Sequence, residues 1–158
     1  SVSHIAMNIA VGIDEFSIEN VFFQDPVKNT VMEDSNFIRA LYSTELFVLN
    51  GIFLKITLKT SAVERYFNKY KCSFDMGVNR EEIARIIMLE NMILQRVAIG
   101  GKRPCHKIHE QLASGNIKLF TDNGDSREED TYILKMSGIW ETETDYGITY
   151  KFMDVVEN

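Results

Sequence analysis

The chain has 158 residues, of which 45% are hydrophobic and 25% charged, with 17 basic against 23 acidic side chains and a formal net charge of −6. This length and composition predict one folded domain with a substantial apolar core and exclude a disordered chain. No apolar run approaches the roughly 18 residues that span a bilayer, so we expect no membrane partner.

The beginning of the chain and its cysteines predict an intracellular protein. Residues 1–6 lack the basic region and apolar block of a signal peptide. We expect these six to be residues left by expression or disordered chain, with Met7 as a candidate start. Cys72 and Cys105 are the only cysteines. Two cysteines without a secretory signal are typical of reduced thiols inside a cell.

A metal site is the alternative for these cysteines. Zinc prefers the residue types of Cys72, Cys105, His106 and His109, but neither CxxC nor HxxxH spacing is present. The acidic run at residues 122–130 offers oxygen ligands for a divalent ion, yet it departs from the EF-hand pattern. We therefore predict an exposed acidic loop at 122–130 and neither a metal nor a cofactor.

The charges divide the chain into three segments. Residues 1–50 hold seven acidic and two basic side chains, residues 51–110 six acidic and eleven basic, and residues 111–158 ten acidic and four basic. Either the segments neutralise one another across the fold, or the middle segment forms a basic surface for a polyanion. In the second case the acidic regions limit non-specific binding and are candidate sites for a protein partner.

The first third of the chain has the pattern of β-strands. We predict strands at about 17–23, 36–43 and 46–49, and another at 52–58. Asn50-Gly51 between apolar runs favours a type I′ turn, so the last two strands should form a hairpin. The side chains of the second hairpin strand separate onto two faces. Ile52, Leu54, Ile56 and Leu58 lie on one face, and Phe53, Lys55, Thr57 and Lys59 on the other.

A short helix is predicted next, at residues 62–71. Ser61 and Glu64 have the spacing of a capping box, in which each side chain satisfies a free backbone N–H group of the first turn. A strand at 72–76 follows.

A long apolar helix then spans residues 79–99. Asn79 and Glu82 repeat the capping-box spacing, and Gly100-Gly101 ends the helix. Because it is apolar over so much of its circumference, we expect it to be buried or shared with a second subunit. The basic stretch 101–109 follows, with a further short helix within 105–114.

The chain closes with a strand at 116–120 and a hairpin of strands at 131–140 and 148–153. In the last strand Ile148, Tyr150 and Phe152 share one face, and Thr149 and Lys151 the other. Runs of strands without βαβ alternation predict an α+β domain. We expect mainly an antiparallel, OB-like β-barrel or sheet, with the long buried helix and the shorter helix between strands three and four.

This order of elements resembles that of the OB-fold single-stranded-DNA-binding proteins of bacteriophages and large DNA viruses. The segments Ser137–Glu141 and Gly147–Phe152 are also similar to closing hairpins in proteins of large DNA viruses. The resemblance implies a viral protein of DNA replication, acting in the cytoplasm or nucleus of a host cell.

The interleaving of basic and aromatic residues favours the same function. Proteins that bind single strands use a basic groove to follow the phosphates and aromatic faces on which bases stack. We predict a non-catalytic protein that binds single-stranded nucleic acid, with DNA as the expected polymer. The candidate binding residues are Phe53, Lys55, Lys59, Arg65, Tyr66, Lys69, Tyr70, Lys71, Lys102, Arg103, Lys107, Trp140 and Tyr146.

The alternative function is that of a structural or interaction protein that forms homo-oligomers through the apolar helix 79–99. The two functions are compatible, because many proteins that bind single strands assemble. An enzyme is not predicted: no histidine has a recognisable nucleophile partner, and Gly100-Gly101 lies at the end of a helix that does not bind phosphate.

Overall fold

The computed structural model describes residues 10–120 and 130–155, which form twelve β-strands, two α-helices and one 3-10 helix, Ile18–Asn20. The first strands are β1 Val11–Gly12, β2 Val21–Phe23, β3 Val27–Lys28, β4 Asn36–Ser43, β5 Val48–Leu49, β6 Ile52–Thr57, β7 Thr60–Tyr66 and β8 Lys69–Phe74. They are followed by α1 Arg80–Val97, β9 Arg103–Cys105, α2 Lys107–Ala113, β10 Asn116–Phe120, β11 Thr131–Glu141 and β12 Asp145–Asp154. The predictions for residues 1–6 and for 122–129 lie outside the described residues.

The strands form one mixed sheet in the order β1-β6-β11-β12-β10-β8-β7. Strand β4 pairs with β11 and also with the short strands β2, β3 and β5. Pairing is antiparallel except for β1–β6, β10–β12 and β9–β12. The predicted α+β class is confirmed, whereas the sheet is not closed into the expected barrel.

The sheet is nevertheless strongly curved. Only Leu58 and Lys59 connect β6 to β7, although these strands lie five places apart in the sheet. In a flat sheet they would be about 24 Å apart, since neighbouring strands are spaced by roughly 4.8 Å. The connection spans at most about 10 Å, so the sheet must curve to bring β6 and β7 together. Asp130 stabilises the connection: its backbone oxygen accepts from Leu58 N at 2.8 Å, and its Oδ1 accepts from Thr60 N at 3.0 Å.

Alternation along the strands separates an inner face from an outer face. The predicted inward residues of β6 are all buried, and Lys55 and Thr57 on the other face are exposed. The closing strand follows its predicted faces as well, with Ile148 and Phe152 in the main core. Each such large apolar side chain contributes roughly 1.5–3 kcal/mol by leaving water. Helices α1 and α2 complete the main core on the inner face of the sheet. The outer face is the opposite side of the sheet.

The prediction of a helix at 62–71 is wrong. Strands β7 and β8 occupy this region, as a hairpin with Phe67 and Asn68 at its tip. Alternation explains the difference: Tyr70 and Cys72 are buried, whereas the residues between them and along β7 reach solvent. Ser61 Oγ, the predicted cap, donates to Ser73 O at 3.3 Å instead. The predicted strand at 72–76 is therefore displaced to β8.

The long helix α1 is confirmed, but its predicted capping box is wrong. Neither side chain caps the first turn of the helix. Asn79 binds the β6–β7 connection, and Glu82 binds the last residue of β6. Asn79 Oδ1 accepts from Lys59 N at 2.7 Å, and Asn79 Nδ2 donates to Lys59 O at 3.0 Å. Glu82 Oε2 accepts from Thr57 N at 2.7 Å. The helix ends at Val97, because Ala98 takes the left-handed conformation with φ 36°.

The helix α1 is buried on one side only. Its exposed side carries mainly polar residues, and the large hydrophobic residue of α1 exposed there is Met88. The buried side includes one charged residue, Glu90, whose two carboxylate oxygens accept from Ile108 N at 2.7 Å and His109 N at 2.9 Å. Glu90 thereby satisfies free N–H groups at the start of α2.

Neither of the two helices in the described residues has the length and apolar character that a membrane span requires.

The predicted hairpin at Asn50-Gly51 is wrong. Strand β5 pairs with β4, through Tyr42 opposite Leu49, and not with β6. The hairpin is instead formed by β4 and β5. Its turn is closed by Thr44 N, which donates to Phe47 O at 2.9 Å. A type I′ turn needs positive φ at both central residues, and here Gly51 has it while Asn50 does not.

Two further segments differ from the prediction. The strand expected at 17–23 begins as the 3-10 helix, and only Val21–Phe23 is extended. The basic stretch 101–109 is not a free loop. It contains β9, paired with β12, and the first residues of α2.

Candidate functional site

The cations of the basic stretch 101–109 are held by acidic partners. Lys102 Nζ donates to Glu141 Oε2 at 2.9 Å and to Thr142 O at 2.7 Å, and the pKa of Glu141 is lowered chiefly by the hydrogen bond from Lys102. Arg103 Nε lies 2.9 Å from Asp145 Oδ1. Lys107 pairs with Glu110 at 3.4 Å. At this place the basic and acidic segments neutralise each other.

Two of the predicted stacking residues are buried. Tyr70 and Tyr146 belong to the main core and are each 6% exposed. Trp140 and Tyr146, expected to form a stacking pair on the closing hairpin, lie on opposite faces of the sheet, because Trp140 is paired with Gly147.

The remaining predicted residues are divided among three places. Lys55 and Lys59 line a cavity of about 620 Å³ beside the start of α1, with Asp14 and Glu82 on its walls. Residues of the β7–β8 hairpin form a second group, and Phe53 and Trp140 lie on the outer face of the central strands. The second group consists of Tyr66, Lys69 and Lys71 on the outer face, whereas Arg65 lies on the opposite face, over the Tyr70 ring.

The outer face contains a cleft of about 530 Å³. Its floor is formed by side chains of β4, β11 and β12, including Phe37, Arg39, Lys135 and Trp140, and its wall by the segment 28–32. That wall is fixed by its own hydrogen bonds. Asn29 Oδ1 accepts from Val31 N at 3.0 Å and Met32 N at 3.3 Å, and Ser35 Oγ donates to Met32 O at 2.7 Å.

Two glycines let aromatic rings lie against the floor of the cleft. A Cβ at Gly147 would be 2.7 Å from Cζ2 of Trp140, and one at Gly138 would be 2.7 Å from Cζ of Phe37. Both distances are far below ordinary contact, so each ring occupies the space that a side chain would need. Phe37 and Trp140 are also directly paired across β4 and β11. The floor therefore carries two neighbouring aromatic rings. We call these two rings together the Phe37–Trp140 platform.

Three cations gather beside this platform. Arg39 lies over the Phe37 ring at 5.3 Å from its centroid, and Lys135 lies over the Phe53 ring at 5.6 Å. Lys135 is directly opposite Lys151 in the β11–β12 ladder. The pKa of Lys135 is lowered by burial and then by the charges of Lys151 and Arg39. Among the described residues, no carboxylate oxygen lies within 4 Å of these three cations.

Part of the outer face is closed. Ile133 and Val155 are fully buried there in a small apolar cluster with Met153, against which Ala10 and Phe53 pack. The cleft and the cations lie beside this cluster. A cleft with positive charge and half-buried aromatic rings therefore borders the buried apolar cluster.

Most residues of this cleft are absent from the sequence prediction. Phe37, Arg39 and Lys135 line the cleft and are missing from it. Lys151, which lies opposite Lys135, is also missing as a binding residue, although the prediction places it correctly on the face opposite Tyr150. Alternation in β4, β11 and β12 places each on the outer face, but the pairing that brings the strands together is not visible in the sequence. The sequence alone favours the cations that lie near aromatic residues along the chain.

Comparison of the chain with known protein families, with curated proteins and with solved structures gives no match. Function must therefore be inferred from the geometry of this chain. In residues 10–120 and 130–155, no group of three or more histidine, cysteine, aspartate or glutamate side chains is arranged to hold a metal ion. Cys72 lies in the core, and Cys105 is half-buried.

Proposed function

We propose that this protein binds single-stranded nucleic acid, DNA being the expected polymer, on the outer face of its sheet and without catalysis. The observation that carries the proposal is the grouping of Arg39, Lys135 and Lys151, without a nearby described carboxylate, beside the Phe37–Trp140 platform.

The chemistry of this grouping fits a polyanion that carries planar rings. Phosphates take the place of the missing carboxylates and relieve the repulsion among the three cations. Unpaired bases stack on exposed aromatic rings, which contributes roughly 1–3 kcal/mol per base. A duplex offers phosphates but no free base faces, so the platform favours single strands.

The alternative, oligomerisation through the long helix, receives less support. The exposed side of α1 is mainly polar, with Met88 as its large hydrophobic residue. An interface between subunits usually has an apolar centre. The structure offers no such surface along α1.

The proposal is tested by fluorescence anisotropy with labelled oligo-dT, its duplex counterpart and a salt series. We expect preferential binding of the single strand, weakening steeply with salt because bound phosphates release counterions. The triple variant Arg39→Gln, Lys135→Gln, Lys151→Gln should bind about 10- to 100-fold more weakly, since it removes three phosphate contacts.

The matched control removes three cations from the helices, with Arg85→Gln, Arg96→Gln and Lys107→Gln. These side chains are exposed or half-exposed, and the three ion pairs lost, two of Arg85 and one of Lys107, are surface pairs of little weight. Because net charge changes equally in both triple variants, only a local site predicts a difference between them. Equal losses in the two, or no binding at low salt, would contradict the proposal.

A further inference from the structure

Four lysines stand side by side across four neighbouring strands of the outer face. Lys135 of β11 is paired with Lys151 of β12, and Lys118 of β10 with Lys71 of β8. Strands β12 and β10 run parallel with Phe152 opposite Leu119, so the preceding residues, Lys151 and Lys118, are neighbours on the outer face. We call Lys135, Lys151, Lys118 and Lys71 the lysine row.

Such a row is costly for the folded protein. Side chains directly opposite each other in neighbouring strands are about 5 Å apart at Cβ, and like charges there are destabilising. None of the four lysines forms an ion pair within 4 Å among the described residues. A position that repels its neighbours on both sides points to a ligand that supplies the opposite charge.

Among the residues that the structure describes, few acidic side chains lie around the row. Glu64 of β7 is opposite Lys71 and closes the row at that end, and its Oε2 accepts from the Tyr66 hydroxyl at 2.6 Å. The outer positions that flank the row in these strands carry no carboxylate in the described chain. They are Ile133, Met153, Phe120, Lys69 and Tyr66 on one side, and Ser137, Thr149, Asn116, Ser73 and Ala62 on the other.

A second aromatic platform lies at the far end of the row. Phe120, Lys69 and Tyr66 are paired in register across β10, β8 and β7, and Lys69 lies over the Phe120 ring at 5.1 Å. Phe120 is 57% and Tyr66 48% exposed. A cavity of about 550 Å³ adjoins this end and is lined by Lys69, Lys71 and Lys118 among others.

We propose that the ligand is a single strand that crosses the sheet perpendicular to the β-strands, with its phosphates on the lysine row. Its bases stack at the Phe37–Trp140 platform at one end and on Phe120 and Tyr66 at the other. This inference rests on the proposed function and adds the path of the strand. Three strand spacings separate Lys135 from Lys71, about 14 Å, or roughly four nucleotides at the stacked rise of 3.4 Å.

The experiment compares short and long ligands, with oligo-dT from about 3 to about 18 nucleotides, a range that brackets the roughly 4–16 nucleotides bound by single-strand-binding folds. For the unmodified protein we expect affinity to rise with length until both platforms are reached. The variant Lys71→Gln, Lys118→Gln should reduce the ratio of long-strand to short-strand affinity about tenfold. Its logarithmic salt slope for the long strand should fall by about 1.4, at roughly 0.7 per phosphate contact.

The control is Arg85→Gln, Arg96→Gln on α1, which removes two cations from the helical side and should leave the ratio and the salt slope unchanged. An unchanged ratio and slope in Lys71→Gln, Lys118→Gln, with oligo-dT still bound, would overturn the path and leave the proposed function standing. Failure of the unmodified protein to bind any oligo-dT would overturn both. Circular dichroism and thermal unfolding confirm that each variant is folded before its affinity is interpreted.

Discussion

Lys135 and Lys151 face each other directly across the β11–β12 ladder, on a face of the sheet where neither has an acidic partner among the described residues. The pKa of Lys135 is lowered by burial and by the charges of Lys151 and Arg39. A protein with a net charge of −6 thus concentrates positive charge on one face.

Reversing one charge in the lysine row should have opposite effects on stability and on binding. In Lys118→Glu, the new carboxylate lies between Lys151 and Lys71, so repulsion becomes attraction. We expect the free energy of unfolding to rise by about 0.2–1 kcal/mol, the usual range for cross-strand pairs. Affinity for long oligo-dT should fall at least tenfold, because a phosphate contact is replaced by repulsion.

Urea unfolding and anisotropy measure the two effects, with Arg96→Glu on α1 as the control for net charge. A variant that is destabilised by the reversal, or that binds as tightly as the unmodified protein, would count against a row held for a polyanion.

Replacing Gly147 by alanine should displace the Trp140 ring. The added Cβ would lie 2.7 Å from the indole, and forcing such a contact costs about 1–3 kcal/mol. We expect a lower thermal unfolding midpoint, a shifted emission maximum of the single tryptophan and weaker binding of oligo-dT.

Gly100→Ala is the matched control, since a Cβ there meets no atom within 4 Å. If Gly147→Ala leaves the tryptophan emission and the affinity unchanged, the ring does not depend on this glycine and the platform is misplaced.

Glu90 should make stability fall as pH rises through the acidic range. Burial raises the pKa of Glu90 above its ordinary value, against the opposing effect of the N–H groups of Ile108 and His109. Between the unfolded and the folded pKa, the folded state holds more protons, so raising the pH favours unfolding. Below the unfolded pKa this contribution is fully present, and it is lost as pH passes the folded pKa.

Glu90→Gln removes this titration while keeping an acceptor for α2. We expect its unfolding midpoint to rise relative to that of the unmodified protein as pH increases from about 4 to about 7. Glu90→Ala, which leaves both N–H groups without an acceptor, should be destabilised by about 1–3 kcal/mol throughout. A difference between Glu90→Gln and the unmodified protein that is independent of pH would refute the raised pKa.

Asn79 should stabilise the fold by holding the β6–β7 connection and not by capping α1. Its side chain is nearly buried and exchanges two hydrogen bonds with the backbone of Lys59. Asn79→Ala leaves those groups unpaired and should cost about 1–3 kcal/mol in urea unfolding. Serine is an equally good helix cap but does not make the two hydrogen bonds to Lys59, so Asn79→Ser should be almost as unstable as Asn79→Ala. Full recovery in Asn79→Ser would instead indicate a capping role.

Local pattern was sufficient to predict the elements that depend on nearby residues. Alternation in 52–58 and 148–153 gave the correct faces. The stretch without a helix breaker between Asn79 and Gly100-Gly101 gave α1 within two residues at each end. The helix predicted at 62–71 failed because Ser61 and Glu64 have helical spacing, while the burial of Tyr70 and Cys72 in a long-range sheet selects strands. Tertiary packing outweighs a weak local preference.

The candidate site could not be predicted, because it is made by register. Lys118 and Lys151 are 33 positions apart, and only the parallel pairing of β10 with β12 brings them together. The basic stretch 101–109, by contrast, is conspicuous in the sequence and yet is neutralised by Glu141 and Asp145. A cluster of basic residues along the chain therefore does not by itself predict a basic surface in the folded protein.

Fluorescence of Trp140 during titration with oligo-dT reports directly on the proposed binding face, since this tryptophan is the only one in the chain. A base stacked on the indole should quench its emission saturably, with the salt dependence seen in anisotropy. The triple variant Arg39→Gln, Lys135→Gln, Lys151→Gln should shift the quenching curve to about 10- to 100-fold higher oligonucleotide concentration. Oligo-dT that binds by anisotropy but leaves the emission of Trp140 unchanged would place the strand elsewhere, and the outer face of the sheet would not be the site.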